Sequence, residues 1–263
     1  MADAGRWQRA LVTGASEGIG EEFARQLAGL GSRVVLVARR RERLEELATE
    51  LGDETEVLPA DLTDPDDLRR VEARLEDPAR PIDLLVNNAG SELEHRPFLE
   101  RDRESVAAEA YLNAMVVLRL THAAVRAMAG RGHGNVLNVS GGVAFYPVPG
   151  SATYGASKAF VNSLTEALAY DLRGTGVHVT AVCPGFTRTR AQDRLGFDVE
   201  VIPRMFWHFP EEVVEAALEA ANHGRPVSNL DFLGSVNAFL GRHLPRRLWL
   251  RQVAGFQARL VRS

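Results

Sequence analysis

Six short apolar runs, at residues 10–13, 33–38, 55–59, 82–86, 135–139 and 177–183, alternate with stretches of helical periodicity. Strands that read as near-continuous apolar runs are buried on both faces. A chain that alternates them with amphipathic helices hides those faces by stacking βαβ units into a parallel sheet. The pattern predicts helices at 21–30, 40–51, 64–76, 103–129, 153–173 and 210–222, and a short further strand at 225–230. Right-handed crossovers leave few ways to connect them. The expected fold class is α/β, a doubly wound parallel sheet of about seven strands with helices on both faces. No internal repeat or low-complexity linker divides the chain, so residues 1–263 are expected to form one domain.

Composition narrows the function. A net charge of −4 gives no general attraction to nucleic acid, and no nucleic-acid partner is expected. The single cysteine, Cys183, excludes an internal disulfide and fits a reducing compartment. No apolar run approaches the roughly 18 residues of a membrane-spanning helix. Residues 1–9 carry no apolar segment of the kind a signal peptide needs, so a cytoplasmic location is expected. No metal site is expected.

The first strand runs into Thr13-Gly14-Ala15-Ser16-Glu17-Gly18-Ile19-Gly20. Glycines at 14, 18 and 20 permit a tight turn and let a pyrophosphate approach the backbone, while the following helix offers unpaired N–H groups and a positive dipole end. Gly14, Ser16, Glu17, Gly18, Ile19 and Gly20 are therefore the expected phosphate-binding loop of a dinucleotide site. The second strand ends in Ala38-Arg39-Arg40-Arg41, with no acid before Glu42. An acid there would bond the ribose hydroxyls, whereas a guanidinium suits a 2′-phosphate. Arg39 points to NADP(H) as the cofactor, with Arg40 and Arg41 read as a solvated helix start.

Lys158 is the one lysine among 31 basic residues, four positions after Tyr154. Residues i and i+4 share a helix face, which sets a phenol beside an ammonium. The cation favours phenolate and lowers the phenol's pKa from its usual value of about 10, so Tyr154 is expected to work as acid and base.

Taken together, these features resemble the short-chain dehydrogenase/reductase family over residues 8–190 and the following helix. The resemblance rests on the glycine loop, Asp61-Leu62, Asn87-Asn88-Ala89-Gly90, Asn113, Tyr154 with Lys158, and Pro184-Gly185-Phe186-Thr187. It implies a Rossmann-type fold with Asp61 and Leu62 at the adenine and Asn88, Ala89 and Gly90 as a floor near the adenosine ribose. It further implies Lys158 on the nicotinamide ribose, a water held by Asn113 as a proton relay, and Pro184, Gly185 and Thr187 along the carboxamide. Read from the residues alone, Asp61 can equally be a helix N-cap. Homodimers or homotetramers are what the resemblance implies for assembly.

One position departs from the family. A serine thirteen residues before the tyrosine usually helps to bind the substrate carbonyl, and here that position is Gly141. The adjacent Ser140 is the candidate replacement, although a one-residue step along a strand turns a side chain to the other face unless the strand end bulges. Ser151, an ordered water or a substrate hydroxyl are alternatives.

The expected activity is NADPH-dependent reduction of a ketone or aldehyde, reversible as an alcohol dehydrogenase, with a 3-oxoacyl or polyketide-type carbonyl as one variant. A low-turnover NADP(H)-binding protein is the other reading of Gly141. Phe197, Met205, Phe206, Trp207 and Phe209 lie in a lid segment, 187–210, and point to an apolar carbonyl or alcohol substrate or to packing of the lid itself. Arg131, Arg173, Arg188 and Arg190 are candidates for meeting an acidic carrier, or are plain surface arginines. The last 23 residues, 241–263, hold six arginines and no acid; Leu248, Trp249, Val253, Phe256 and Leu260 approximate an apolar stripe among Arg246, Arg247, Arg251, Arg259 and Arg262. Such a basic amphipathic extension suits peripheral membrane contact, a partner subunit or a cover for the substrate site.

Overall fold

The computed structural model describes residues 7–90, 95–189, 204, 207–229 and 232–243, together with 245, 247, 250, 251, 253 and 255. Its strands are β1 (Arg9–Thr13), β2 (Arg33–Ala38), β3 (Glu56–Pro59), β4 (Leu84–Asn87), β5 (Gly134–Val139), β6 (Val177–Cys183), β7 (Phe186–Thr187), β8 (Trp207–His208) and β9 (Val227–Asn229). Seven of them pair in parallel in the order β3-β2-β1-β4-β5-β6-β9, and β7 and β8 form a separate parallel pair.

Successive strand residues point to opposite faces, and the sequence supplies apolar side chains for both. Ala10 and Val12 of β1, Val34 and Leu36 of β2, and Leu84 and Val86 of β4 enter one buried cluster; Leu11, Val35, Val37 and Leu85 enter the other. Helices α1 (Gly18–Gly29), α2 (Arg41–Leu51) and α7 (Pro210–Asn222) cover the first face through Phe23, Leu27, Leu44, Leu47 and Val214. Helix α3 (Pro65–Glu76) brings Leu68, Val71 and Leu75 to the second face. Helices α4 (Arg103–Ala110) and α5 (Val117–Ala129) follow, with Leu120, Ala123 and Ala124 of α5 in that second cluster. Burying a Leu or Phe side chain fully contributes about 1.5–3 kcal/mol, so the two clusters account for most of the drive to this sandwich.

Most predicted elements occupy their expected places, with shifts that have local causes. Helix α1 starts at Gly18, not residue 21, so the glycine loop forms its first turn. Between α4 and α5 a π-helical turn over Tyr111–Val116 interrupts the predicted 103–129 helix around Asn113. Asp64 caps α3, accepting from the N–H groups of Asp66 and Asp67. Asp61 accepts instead from the N–H and hydroxyl of Thr63, so it is not the cap. Helix α6 (Ala152–Asp171) carries Tyr154 and Lys158. The sequence pattern did not reveal helix α8 (Phe232–His243), which packs on the 3-10 turn Gly142–Phe145.

No helix among the described residues is long and apolar enough to cross a membrane. Most of the C-terminal stripe, including Leu248, Trp249, Phe256 and Leu260, lies outside the described residues.

Candidate active site

The order β3-β2-β1-β4-β5 reverses direction between β1 and β4, and a crevice outside the carboxyl ends of such strands is where open α/β sheets bind ligands. Gly14 and Gly18 have φ of +66° and +60°, which L side chains rarely adopt. A Cβ at Gly20 would lie 2.2 Å from the Gly14 carbonyl oxygen and 2.4 Å from Asn88 Nδ2. The loop thus closes on itself only because these positions lack side chains. Asn88 Nδ2 donates to the carbonyls of Thr13 and Gly14 at 3.0 and 3.3 Å. Thr13 Oγ1 accepts the N–H groups of Asn88 and Ala89 at 3.0 Å each, tying the loop to the end of β4.

Arg40 reaches back across this loop. Its Nη2 donates to the Ser16 carbonyl, to Ser16 Oγ at 3.1 Å and to Glu17 Oε2 at 3.0 Å. Arg40 is therefore a loop brace, a role that reading it as a solvated helix start overlooks; Arg41 makes an exposed pair with Glu45. Arg39 is exposed beside Asp61. Burial works to raise the Asp61 carboxyl, but the two Thr63 hydrogen bonds and the Arg39 charge outweigh it and hold its pKa below the ordinary value. Arg39, Asp61 and the buried Leu62 stand just past the paired ends of β2 and β3, with Asp61 held anionic.

At the inner end, Lys158 is buried with its Nζ donating to the Val139 carbonyl at 2.8 Å. Two ammonium protons stay available on that face of α6. Burial pushes its pKa down to about 8. The Nζ lies 5.5 Å from the centre of the Tyr154 ring. A Cβ at Gly90 would lie 2.4 Å from Asn113 Oδ1 and 3.5 Å from Lys158 Nζ, so Asn113 and Lys158 converge on one point above Gly90. Asn113 is fully buried at the π-helical turn, which rotates it inward.

Position 141 faces the phenol. A Cβ there would stand 3.8 Å from Tyr154 Oη and 3.7 Å from Val143 Cγ2, ordinary contact distances. Ser140, a catalytic candidate on sequence grounds, is turned the other way: its N–H donates to Val182 and its Oγ to the Lys158 carbonyl at 3.2 Å. β5 runs to its end without a bulge, and the period of two sends residue 140 behind the site. Ser140 leaves the catalytic set on this geometry. Cys183 is likewise buried behind the site, beside Asn162, and burial pushes its thiol up to about 11.

Pro184, Gly185 and Thr187 follow β6 along the crevice, and the same segment returns to the phosphate loop. A Cβ at Gly18 would lie 3.3 Å from Thr189 Cγ2. Sequence reasoning stopped at Thr187 and missed this contact. It also missed His95, whose Nδ1 lies 2.8 Å from Ser151 Oγ, because the two are 56 positions apart.

Phe186 and Trp207 pack with ring centroids 5.7 Å apart, and the Arg188 guanidinium lies 5.6 Å from the Trp207 ring and 5.8 Å from Phe209. Arg131 bonds the carbonyls of Ala127 and Ile82, and Arg173 lies over Tyr170. Phe197, Met205, Phe206 and Arg190 lie outside the described residues. Among the described residues no group of three or more His, Cys, Asp or Glu could hold a metal ion.

The sequence profile of the short chain dehydrogenase family matches residues 8–199, nearly all of the sheet and its crevice. The chain belongs to the short chain dehydrogenase family. It is 36% identical over 175 residues to the NADP-dependent 3-hydroxy acid dehydrogenase of Escherichia coli (strain K12), an overlap of 66% of this chain and 71% of that one. It is similar to a short-chain dehydrogenase from Sphingobium yanoikuyae solved in complex with NADPH, with a TM-score of 0.80 and 36% identity over 93% of this chain and 95% of that one. The bulky-bulky ketone specific alcohol dehydrogenase from Comamonas testosteroni superposes with a TM-score of 0.76 and 31% identity over 97% of this chain and 96% of that one.

Proposed function

We propose that this short chain dehydrogenase is an NADPH-dependent carbonyl reductase, working in reverse as an alcohol dehydrogenase, whose acid and base is Tyr154. The carrying observation is that the Tyr154 hydroxyl borders the open space at Gly141 while the buried Lys158 ammonium lies on the flank of the same ring. The crevice fits the cofactor: its phosphate loop closes only without side chains at 14 and 20, Arg39 stands where a 2′-phosphate needs a cation, and Lys158 has ammonium protons for ribose hydroxyls. When bound, the nicotinamide supplies or accepts hydride.

The protein's part is protonic and orienting. Tyr154 gives its proton to the carbonyl oxygen during reduction and takes it back during oxidation. The Lys158 cation favours the phenolate left behind. Asn113, converging with Lys158 above Gly90, marks the route by which the proton is replaced. Thr187 and Thr189 bring the strand after Pro184 against the loop and close that side of the crevice.

The substrate we infer is a ketone with apolar groups on both sides of the carbonyl. Val143 Cγ2 borders the same space at Gly141 as the Tyr154 hydroxyl, Phe186 and Trp207 form an aromatic pair after β6, and the likeness to the Comamonas enzyme runs along nearly the whole chain. A homodimer or homotetramer is the assembly we infer; exposed Phe98, Leu99 and Tyr170 give such contacts apolar surface. The test is NADPH oxidation at 340 nm over a panel of cyclohexanone, propiophenone, benzophenone, a 3-oxosteroid and an acetoacetyl thioester, with the Tyr154→Phe protein alongside. Turnover of the two-sided apolar ketones, lost in Tyr154→Phe with NADPH binding intact, is the expected result. Full turnover by Tyr154→Phe would overturn the mechanism, and no turnover on any carbonyl would favour a cofactor-binding role.

A further inference from the structure

Lysine carries its ammonium on a flexible stem, so where the charge sits depends on where both ends of the side chain are fastened. Three consecutive residues fasten Lys158: Asn138 and Val139 at the end of β5, and Ser140 just past it. Ser140 Oγ donates to the Lys158 main-chain carbonyl at 3.2 Å, and Lys158 Nζ donates to the Val139 carbonyl at 2.8 Å. Asn138 Nδ2 donates to Thr165 Oγ1 at 3.0 Å, about two turns further along α6.

None of these bonds belongs to a strand or helix ladder. A helical carbonyl ordinarily accepts the N–H four residues on, so the Ser140 hydroxyl takes its second lone pair and pins the backbone of residue 158 to the sheet. Thr165 Oγ1 donates to the Val161 carbonyl at 2.8 Å, and its oxygen accepts from Asn138. Asn138 Oδ1 in turn accepts from Asn87 Nδ2 at 2.9 Å, which ties the group to β4. The period of two sends Asn138 and Ser140 to one face of β5, and a seven-residue step returns from Lys158 to the same side of α6. Ser140, Asn138 and Thr165 are all buried, so a partner lost here is not replaced from bulk solvent.

We propose that Ser140, together with the Asn138–Thr165 bond, sets the register of α6 on the end of β5 and thereby fixes the Lys158 ammonium beside Tyr154. Ser140, Asn138 and Thr165 are positioning residues that act on the reaction through Lys158. The groups facing the ammonium are the Cys183 thiol of β6, the Tyr154 ring at 5.5 Å and Asn113 of the π-helical turn. Burial holds the thiol up at about 11, so it is neutral near pH 7, and burial is also the larger influence on Lys158. If α6 lifts from the sheet, water reaches Nζ and its pKa climbs from about 8 back toward 10.5. The reacting pair loses its geometry in the same movement, and small displacements of reacting groups cost rate steeply.

The effect on rate rests on the carbonyl reductase reading, and the test keeps the two apart. Lys158 is the chain's one lysine. Full-length protein labelled with ¹³C-lysine therefore shows one ε-carbon resonance, whose shift with pH follows the ammonium without turnover. Ser140→Ala should move that titration upward from about 8. It should also lower kcat about 10- to 100-fold on the panel ketone with the highest kcat/KM, with KM less affected. Thr165→Val keeps the shape and removes the acceptor for Asn138; it should move both readouts the same way, and it serves if the alanine protein does not fold. Ser140→Thr keeps a hydroxyl and should return both to the wild-type values.

Thr180→Val is the control. It removes a buried hydroxyl that has no hydrogen-bond partner among the described residues, on the other face of the sheet, and should leave titration and kcat where they were. A Ser140→Ala protein whose Lys158 titrates as in the wild type overturns the proposal, whatever its kcat. An equal shift in Thr180→Val does the same, because it would mark a general loosening. A shifted titration with full kcat in Ser140→Ala overturns the role in the reaction. Full kcat in Tyr154→Phe removes the carbonyl reductase reading itself and leaves the hold on Lys158 to be judged by the titration.

Discussion

The Lys158 ammonium donates to the Val139 carbonyl at 2.8 Å from a fully buried position, so a cation is held where the fold disfavours it. Its pKa falls from 10.5 to about 8. Below about pH 8 both folded and unfolded chains carry this proton and the burial cost is fully present. Between 8 and 10.5 only the unfolded chain keeps it, so this group makes stability rise with pH across that window. Lys158→Met should therefore stabilise the protein at pH 7 by on the order of 1–3 kcal/mol while abolishing turnover. Urea denaturation at pH 7 and pH 10 checks it, the advantage shrinking at the higher pH.

The same value sets the activity profile. The charged form of Lys158 supports Tyr154, and its population falls as pH rises through about 8. The kcat for ketone reduction should decline above that point, and a profile of kcat against pH from 6 to 10 shows it.

Arg39 and Arg40 divide the work of the basic run. Arg40 is committed to Ser16 and Glu17, which leaves Arg39 for a 2′-phosphate. Arg39→Ala should weaken NADPH binding about 10- to 100-fold, the worth of one charge-assisted contact, with little change for NADH. Fluorescence titration with both nucleotides measures the ratio.

Gly20→Ala places a methyl group against the Gly14 carbonyl oxygen and Asn88 Nδ2, both part of the loop's own bracing. The loop must open, and affinity for either nucleotide should fall by at least about tenfold, equivalent to 1.4 kcal/mol. Isothermal calorimetry is the measurement.

Arg101 and Glu109 form a two-point ion pair at 3.0 and 3.2 Å with both side chains almost wholly buried. Glu109→Ala removes the two-point carboxylate partner of a buried guanidinium and should destabilise the protein by on the order of 3 kcal/mol, whereas the double change to Met at both positions should cost less. Thermal unfolding of the three proteins compares them.

Much of this site was legible because its chemistry is local. The glycine loop, Arg39 and the Tyr154–Lys158 step are each set by spacing within one turn or one helix, whereas Asp61 entered only through the family resemblance. The one-residue difference between Ser140 and Gly141 was also readable, since β5 keeps its period of two to the end. Pairs far apart in the chain were not readable. His95 with Ser151, Thr189 with Gly18, and Arg40 across the loop depend on where the sheet delivers segments that carry no pattern of their own. The π-helical turn at Asn113 was hidden for a different reason: one extra residue in a turn scarcely disturbs an apolar stripe. Met205 and Phe206 were singled out as lid residues and lie outside the described residues.

Gly241 of α8 lets that helix settle against the turn after Gly141, for a Cβ there would meet Tyr146 Cδ1 at 2.9 Å and the Phe145 carbonyl at 3.1 Å. The turn that follows Gly141 is thus moulded in part by a segment some eighty positions downstream of Tyr154. On the proposed carbonyl reductase reading, substrate shape preference can diverge through exchange of that distal helix while Tyr154 and Lys158 stay in place. On that reading, shape preference and proton chemistry lie on separate stretches of one chain.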